Sequence, residues 1–108
     1  MLSDYEVGWI EALIDGEGSL TWARGYPALW ITQADRRILE KFLQLTKFGC
    51  INGPYQNKSA KYVNRPYYRF RMSCGGLREI LPQLHLISKE FRRLEMMDWF
   101  DTHPKRKW

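Results

Sequence analysis

Gly8, Ala12 and Gly16 recur at every fourth position of a segment that is otherwise largely apolar. Residues four apart share one face of a helix, so this segment reads as a helix with a strip of minimal side chains along it. Glycine inside a helix is destabilising by roughly 0.5–1 kcal/mol relative to alanine. A helix that carries two on one face leaves room for close approach of another backbone, its own sheet's or a second copy's. The start of the helix is well marked. Ser3 and Glu6 have the spacing of a capping box, with Leu2 and Val7 placed as a hydrophobic staple. Trp9, Ile10, Leu13 and Ile14 continue the apolar pattern. Gly16 and Gly18 are placed to end it, because glycine readily takes the left-handed conformation of a C-cap. Asp15 and Glu17 fall at the C-terminal end, where the helix dipole is already negative. Carboxylates there need solvation or a compensating cation, and a divalent metal ion is one such cation.

The rest of the chain alternates between strand and helix patterns. Residues 19–24 place Leu20 and Trp22 on one side and Ser19, Thr21 and Ala23 on the other. Gly25, Tyr26 and Pro27 turn the chain, and residues 28–32 return with Leu29 and Ile31 inward and Trp30 and Thr32 outward. Asp35 is placed as N-cap of a second helix, whose apolar face is Ile38, Leu39, Phe42, Leu43 and Leu45, with Gly49 closing it. Residues 50–52 read as a short strand and 53–64 as a polar loop. Residues 67–73 are the clearest strand, Tyr68, Phe70 and Met72 alternating with Tyr67, Arg69 and Arg71. A short helix over 77–84 is interrupted by Pro82, and a last helix over about 89–101 has Ser88 as its cap. The order is α-β-β-α-β-β-α-α. Strands that come in hairpin pairs predict an antiparallel sheet with helices on one face, an α+β class. At 108 residues one domain is expected, over 1–103, followed by a basic tail at 104–108.

Composition narrows the function. Lys and Arg outnumber Asp and Glu by 17 to 12, a net charge of +5, and aromatic residues reach 15%. That combination points to an acidic partner, nucleic acid first, although +5 alone serves solubility equally well. A hydrophobic fraction of 44% is too high for a disordered chain. No apolar run is long enough to span a membrane, and the acidic residues 1–6 lack the basic start of a signal peptide. Cys50 and Cys74 read as free thiols in a reducing compartment. His85 and His103 are isolated, and no Ser/His/Asp or Cys/His constellation is present.

The segment Ile10-Glu11-Ala12-Leu13-Ile14-Asp15-Gly16-Glu17-Gly18 resembles the LAGLIDADG motif of the homing endonucleases, and Ser19 followed by an apolar residue matches its usual continuation. One copy is present, and the resemblance extends over nearly the whole chain through the order αββαββα. It implies a saddle-shaped sheet and a homodimer, because one-motif chains of that family pair through their motif helices. Gly8, Ala12 and Gly16, with Asp15, then lie at the dimer seam. The implied activity is Mg²⁺-dependent phosphodiester hydrolysis of a long, pseudo-palindromic duplex DNA target, leaving 3′ overhangs, as in intron homing. Glu17, with Gly16 beside it, is the implied metal site. Gln33 matches the residue that orients active-site water. Arg37, one helical turn on, matches a basic residue near the scissile phosphate. Lys89 matches a lysine of the catalytic site. The outward residues Ser19, Thr21, Arg24, Tyr26, Trp30, Thr32, Tyr67, Arg69 and Arg71 would face the major groove, and Lys58, Lys61 and Arg65 the phosphates. Neither a small-molecule cofactor nor a membrane is implied. The expected location is a prokaryotic or phage-host cytoplasm or an organelle matrix, not the outside of the cell. The chain departs from the motif at Ala12, a small-for-small change, and at Glu11, a charge where the family often has Ala and close to the seam. It also lacks the long C-terminal helical extension of some relatives. The alternative is a non-cleaving nucleic-acid binder on the same scaffold, a maturase or regulator. Retention of Glu17 together with Gln33 and Lys89 favours the nuclease.

Overall fold

A computed structural model describes residues 2–56 and 65–105. Helix α1 spans Asp4–Glu17, strand β1 Gly18–Ala23, β2 Tyr26–Gln33, helix α2 Arg36–Thr46, β3 Cys50–Tyr55, β4 Tyr67–Met72, α3 Cys74–Ile80 and α4 Glu90–Thr102, with a 3₁₀ turn at Leu81–Gln83. The four strands form one antiparallel sheet in the order β1-β2-β4-β3. The α+β class read from hairpin pairing is the one observed.

Local chemistry sets most element ends. The Ser3 hydroxyl accepts from Glu6 N–H at 3.1 Å while the Glu6 carboxylate accepts from Ser3 N–H at 2.8 Å, completing the capping box. The Asp35 carboxylate accepts from Arg37 N–H at 2.9 Å and starts α2. Four details correct the expectations. Gly18 is extended, at φ −86°, and not left-handed. Its requirement is steric, since a Cβ there would lie 2.9 Å from the Ile14 carbonyl oxygen. The first hairpin turns at Arg24 and Gly25, φ +53° and +83°, with Ala23 paired to Tyr26. Two positive φ values are what a two-residue hairpin loop needs to match strand twist. Lys47, not Gly49, takes the left-handed position after α2, at φ +65°. Ser88 does not cap α4, whose N-cap position is Lys89.

The core lies between the inner sheet face and the helices. Ile10 and Ile14 of α1, Leu39 and Phe42 of α2, Leu77 of α3 and Met96 of α4 are fully buried against Leu29, Ile31, Phe70 and Met72 of β2 and β4. Phe42 meets Phe70 edge-on at 4.9 Å, the favoured arrangement of two ring quadrupoles. With the helices gathered on that side, the outer face of the sheet stays open. There Thr32, Arg69 and Arg71 are exposed and Trp30 and Tyr67 partly so. Among the described residues no helix is long and apolar enough to cross a membrane.

Candidate active site and nucleic-acid interface

The acids at the end of α1 divide into two kinds. The Asp15 carboxylate accepts from the backbone N–H groups of Ile87 at 2.8 Å, Ser88 at 3.1 Å and Lys89 at 3.3 Å, and from the Ser88 hydroxyl at 3.0 Å. Burial raises its pKa, but these donors outweigh burial and hold the carboxyl below its ordinary value. Lys89 Nζ donates to the Asp15 carbonyl oxygen at 2.6 Å, placing a cation on the negative end of α1. One turn earlier, Glu11 accepts from His85 N–H. Both carboxylates are thus turned onto this chain's own 85–89 segment. That is where the charge of Glu11 goes, and Asp15, expected at the seam, spends its carboxylate the same way.

Glu17 differs. It is exposed, and among the described residues its carboxylate has no hydrogen bond or ion pair. It lines an open cleft with Trp9, Ala12, Leu13, Gly16, Gln33 and Ile38. The α1–β1 junction brings Glu17 there, and the end of β2 brings Gln33. On the other side of the junction, a second cleft is lined by Gly18, Ser19, Leu20, Ser88, Lys89, Phe91 and Arg92. Glu17, Gln33 and Lys89, three singletons in sequence, therefore surround one helix end. Arg37 is not in either cleft. It lies four residues after the cleft residue Gln33, in the first turn of α2, but its side chain is 87% exposed and its guanidinium is paired with Asp35 at 2.9 and 3.1 Å. The hydrogen bond and charge of Arg37 lower the Asp35 pKa, and Asp35 raises that of Arg37.

The donor set at Glu17 suits a hard divalent cation. Carboxylate, main-chain carbonyl at Gly16 and Gln33 amide are oxygen donors of the sort Mg²⁺ prefers. Among the described residues no three His, Cys, Asp or Glu side chains gather as a closed cage. An ion that keeps most of its shell as water and phosphate needs no such cage.

The outer sheet face carries the basic and aromatic residues. Trp30 pairs with Arg71 across β2 and β4, and Thr32 pairs with Arg69. The Arg69 and Arg71 guanidinium carbons lie 5.7 and 5.3 Å from the Trp30 ring centroid, and Arg69 also lies 5.7 Å from Tyr55. Tyr55 in turn is 5.6 Å from Tyr67. Ser19, paired with Trp30, and Thr21 extend this face along β1. Arg24 stands at the hairpin tip. Tyr26 belongs elsewhere: its ring meets Trp99 of α4 edge-on at 5.8 Å, on the helix side. Arg65 is exposed beside Tyr68 and Arg36, whereas Lys58 and Lys61 lie outside the described residues. Tyr55 was hidden in sequence because a register break between Asn52 and Tyr55 interrupts alternation. Arg92, which lines the second cleft and pairs with Glu95 at 3.2 Å, was also missed, and its signal was its place in the first turn after Lys89. Gly8, Ala12 and Gly16 form an exposed strip on α1, with nothing within 4 Å of a Cβ added at Gly8 or Gly16.

An antiparallel sheet, open on one face and joined at its first strand to a carboxylate-ended helix, defines a homing-endonuclease-like α+β fold. The chain belongs to the family of LAGLIDADG-like domains, whose sequence model matches residues 4–94. Among solved structures it is similar to an archaeal intron-encoded homing endonuclease, I-Vdi141I, complexed with DNA. The TM-score is 0.62 at 20% identity, over 88% of this chain and 66% of that one. This chain therefore spans less than two thirds of that endonuclease. No curated protein matches it in sequence.

Proposed function

We propose that this chain is a site-specific DNA endonuclease of the homing type. It would act as a homodimer with Mg²⁺ on a long, pseudo-palindromic duplex and leave 3′ overhangs. The observation that carries this reading is Glu17, a solvent-facing carboxylate that shares a cleft with Gln33 at the helix end where Lys89 also docks. Glu17, with the main chain of Gly16, would hold the metal ion. Bound there, the ion supplies Lewis-acid activation of phosphate and water. Gln33 orients water in the cleft. Lys89 brings a compact positive charge to the phosphate or its water network. Arg37 can reach a phosphate from the rim by exchanging Asp35 for it, its planar fork suiting either partner. Pairing through the Gly8–Ala12–Gly16 strip would bring two copies of Glu17 together, one for each DNA strand. Ser19, Thr21, Trp30, Thr32, Tyr67, Arg69 and Arg71 would meet the major groove, where Arg reads guanine. Arg24, Lys58, Lys61 and Arg65 are assigned to phosphates. The domain is taken as residues 1–103 with a basic tail.

The Trp30–Arg69–Arg71 face does not depend on Glu17, so a non-cleaving nucleic-acid binder, a maturase or regulator, is the second reading. Cleavage selection on a randomised duplex library with Mg²⁺ separates the two. The nuclease yields double-strand cuts with wild type and none with Glu17→Ala, and DNA binding without cutting by either protein favours the binder. Sedimentation on the selected site is expected to show two chains per duplex. A stable monomer there overturns the dimer.

A further inference from the structure

Glu11 has no part in the chemistry proposed above, yet its carboxylate is committed to a specific contact. We propose that Glu11 is a positioning residue acting through Lys89, an inference that rests on the role given to Lys89. Glu11 and Asp15 are one helical turn apart on α1 and grip the same connector. Glu11 holds His85 N–H, and Asp15 holds the N–H groups of Ile87, Ser88 and Lys89. The 85–89 segment has no ladder or helix to satisfy these donors. Ile87 is 92% exposed, and within 85–89 only Leu86 is buried, its side chain in the core and its N–H donating to Glu90 at 2.9 Å. Hydrogen bonds from N–H to a carboxylate are stronger than neutral ones, and here both acceptors ride on one helix. A grip at Asp15 alone holds only the residues after Leu86, so the connector can still turn about that buried side chain. The second grip at His85 removes that freedom, and with it the freedom of the Lys89 backbone from which the ammonium reaches the end of α1. Displacement of such a group by about 1 Å can slow a reaction up to about 100-fold.

The test is a double-mutant cycle on single-turnover cleavage of the selected duplex, with Glu11→Ala, Lys89→Met and the double variant. Glu11→Ala is expected to slow cleavage about 10-fold while DNA affinity stays within about 2-fold, a split that separates placement from binding. Glu11→Gln, whose amide oxygen still accepts from His85, should stay within about 3-fold of wild type. In the Lys89→Met background, Glu11→Ala should slow cleavage no further, as coupled residues are non-additive. Equal slowing in both backgrounds overturns the proposal. Wild-type cleavage by Lys89→Met overturns the role of Lys89 itself, a different and recognisable failure. Amide hydrogen exchange gives a readout free of activity. Glu11→Ala should accelerate exchange at Ile87, Ser88 and Lys89 as well as His85, and acceleration confined to His85 overturns the clamp.

Discussion

Asp15 shows how one side chain settles a question posed by its neighbours. Two acids at the negative end of a helix are unfavourable, and the structure relieves one with three main-chain donors and a hydroxyl. Replacing it with Asn keeps the shape but removes the charge. A loss of about 1–2 kcal/mol in unfolding free energy by urea titration is expected, the size of a helix-cap contact. The folded carboxyl titrates below its ordinary value of 3.8. Its stabilisation is therefore complete above that ordinary value and disappears as pH falls through the lower folded one. Wild type and Asp15→Asn should converge in stability in strong acid, separate as pH rises through the lowered folded value, and keep a constant difference above about 4. Convergence at neutral pH instead contradicts the role. The sequence placed Asp15 and Glu17 at the helix end because capping and periodicity are local. It did not show which acid is engaged, because the partners of Asp15 lie 72–74 residues away. Glu11 was opaque for the same reason, and Arg37 was read without its pairing to Asp35.

Among the elements, α1 makes two different demands on one cylinder. Its Ile10 and Ile14 side is buried in the core, while Gly8, Ala12 and Gly16 form an exposed strip. In the isolated chain that strip gains nothing from glycine. A Cβ added at Gly8 meets nothing within 4 Å, so Gly8→Ala should stabilise the monomer by about 0.5–1 kcal/mol through helix propensity. If the strip is a helix–helix seam, a larger side chain there separates the two backbones. Gly8→Leu should then lower self-association on DNA at least about 10-fold, a 1.4 kcal/mol effect, while the monomer keeps its melting temperature. Sedimentation and thermal melts read the two effects separately, and unchanged association with Gly8→Leu excludes the seam. The elements themselves were legible because strands of period two and the amphipathic α2 stand out in the pattern. The misreadings lie at element ends: Arg24 and Lys47 adopt positive φ although glycine is the residue that prefers it, β3 runs on to Tyr55 where a loop was expected, and α3 starts at Cys74. The strand order, with β4 rather than β3 beside β2, is a tertiary outcome that no local pattern carries.

At the scale of the whole molecule, the +5 charge matters less than its layout. The helices gather on the inner face of the sheet, and Arg69 and Arg71 stand on the other. Arg69 and Arg71 do not project independently, since both guanidinium groups lie against Trp30. An arginine held over an aromatic ring has less rotamer freedom to lose when it meets a base edge. The charge and the ring should therefore have separable effects on a selected duplex. Removing one Arg per chain removes two cations from a dimer, and each phosphate contact contributes about 0.9 to the dependence of log affinity on log salt. If Arg71 contacts phosphate, Arg71→Ala should lower that slope by about 2 in the dimer, with similar weakening on every sequence. If it reads guanine, the same variant should relax one base position per half-site by about 1–3 kcal/mol. Trp30→Ala leaves every charge in place, so the salt slope should persist. What it should lose is discrimination, at the positions read by Arg69 and Arg71 together. Competition binding of the selected site against single-base variants, over a range of salt, measures both quantities at once. Trp30→Ala that lowers the salt slope while discrimination stays intact shows that the ring does not organise the arginines for base readout.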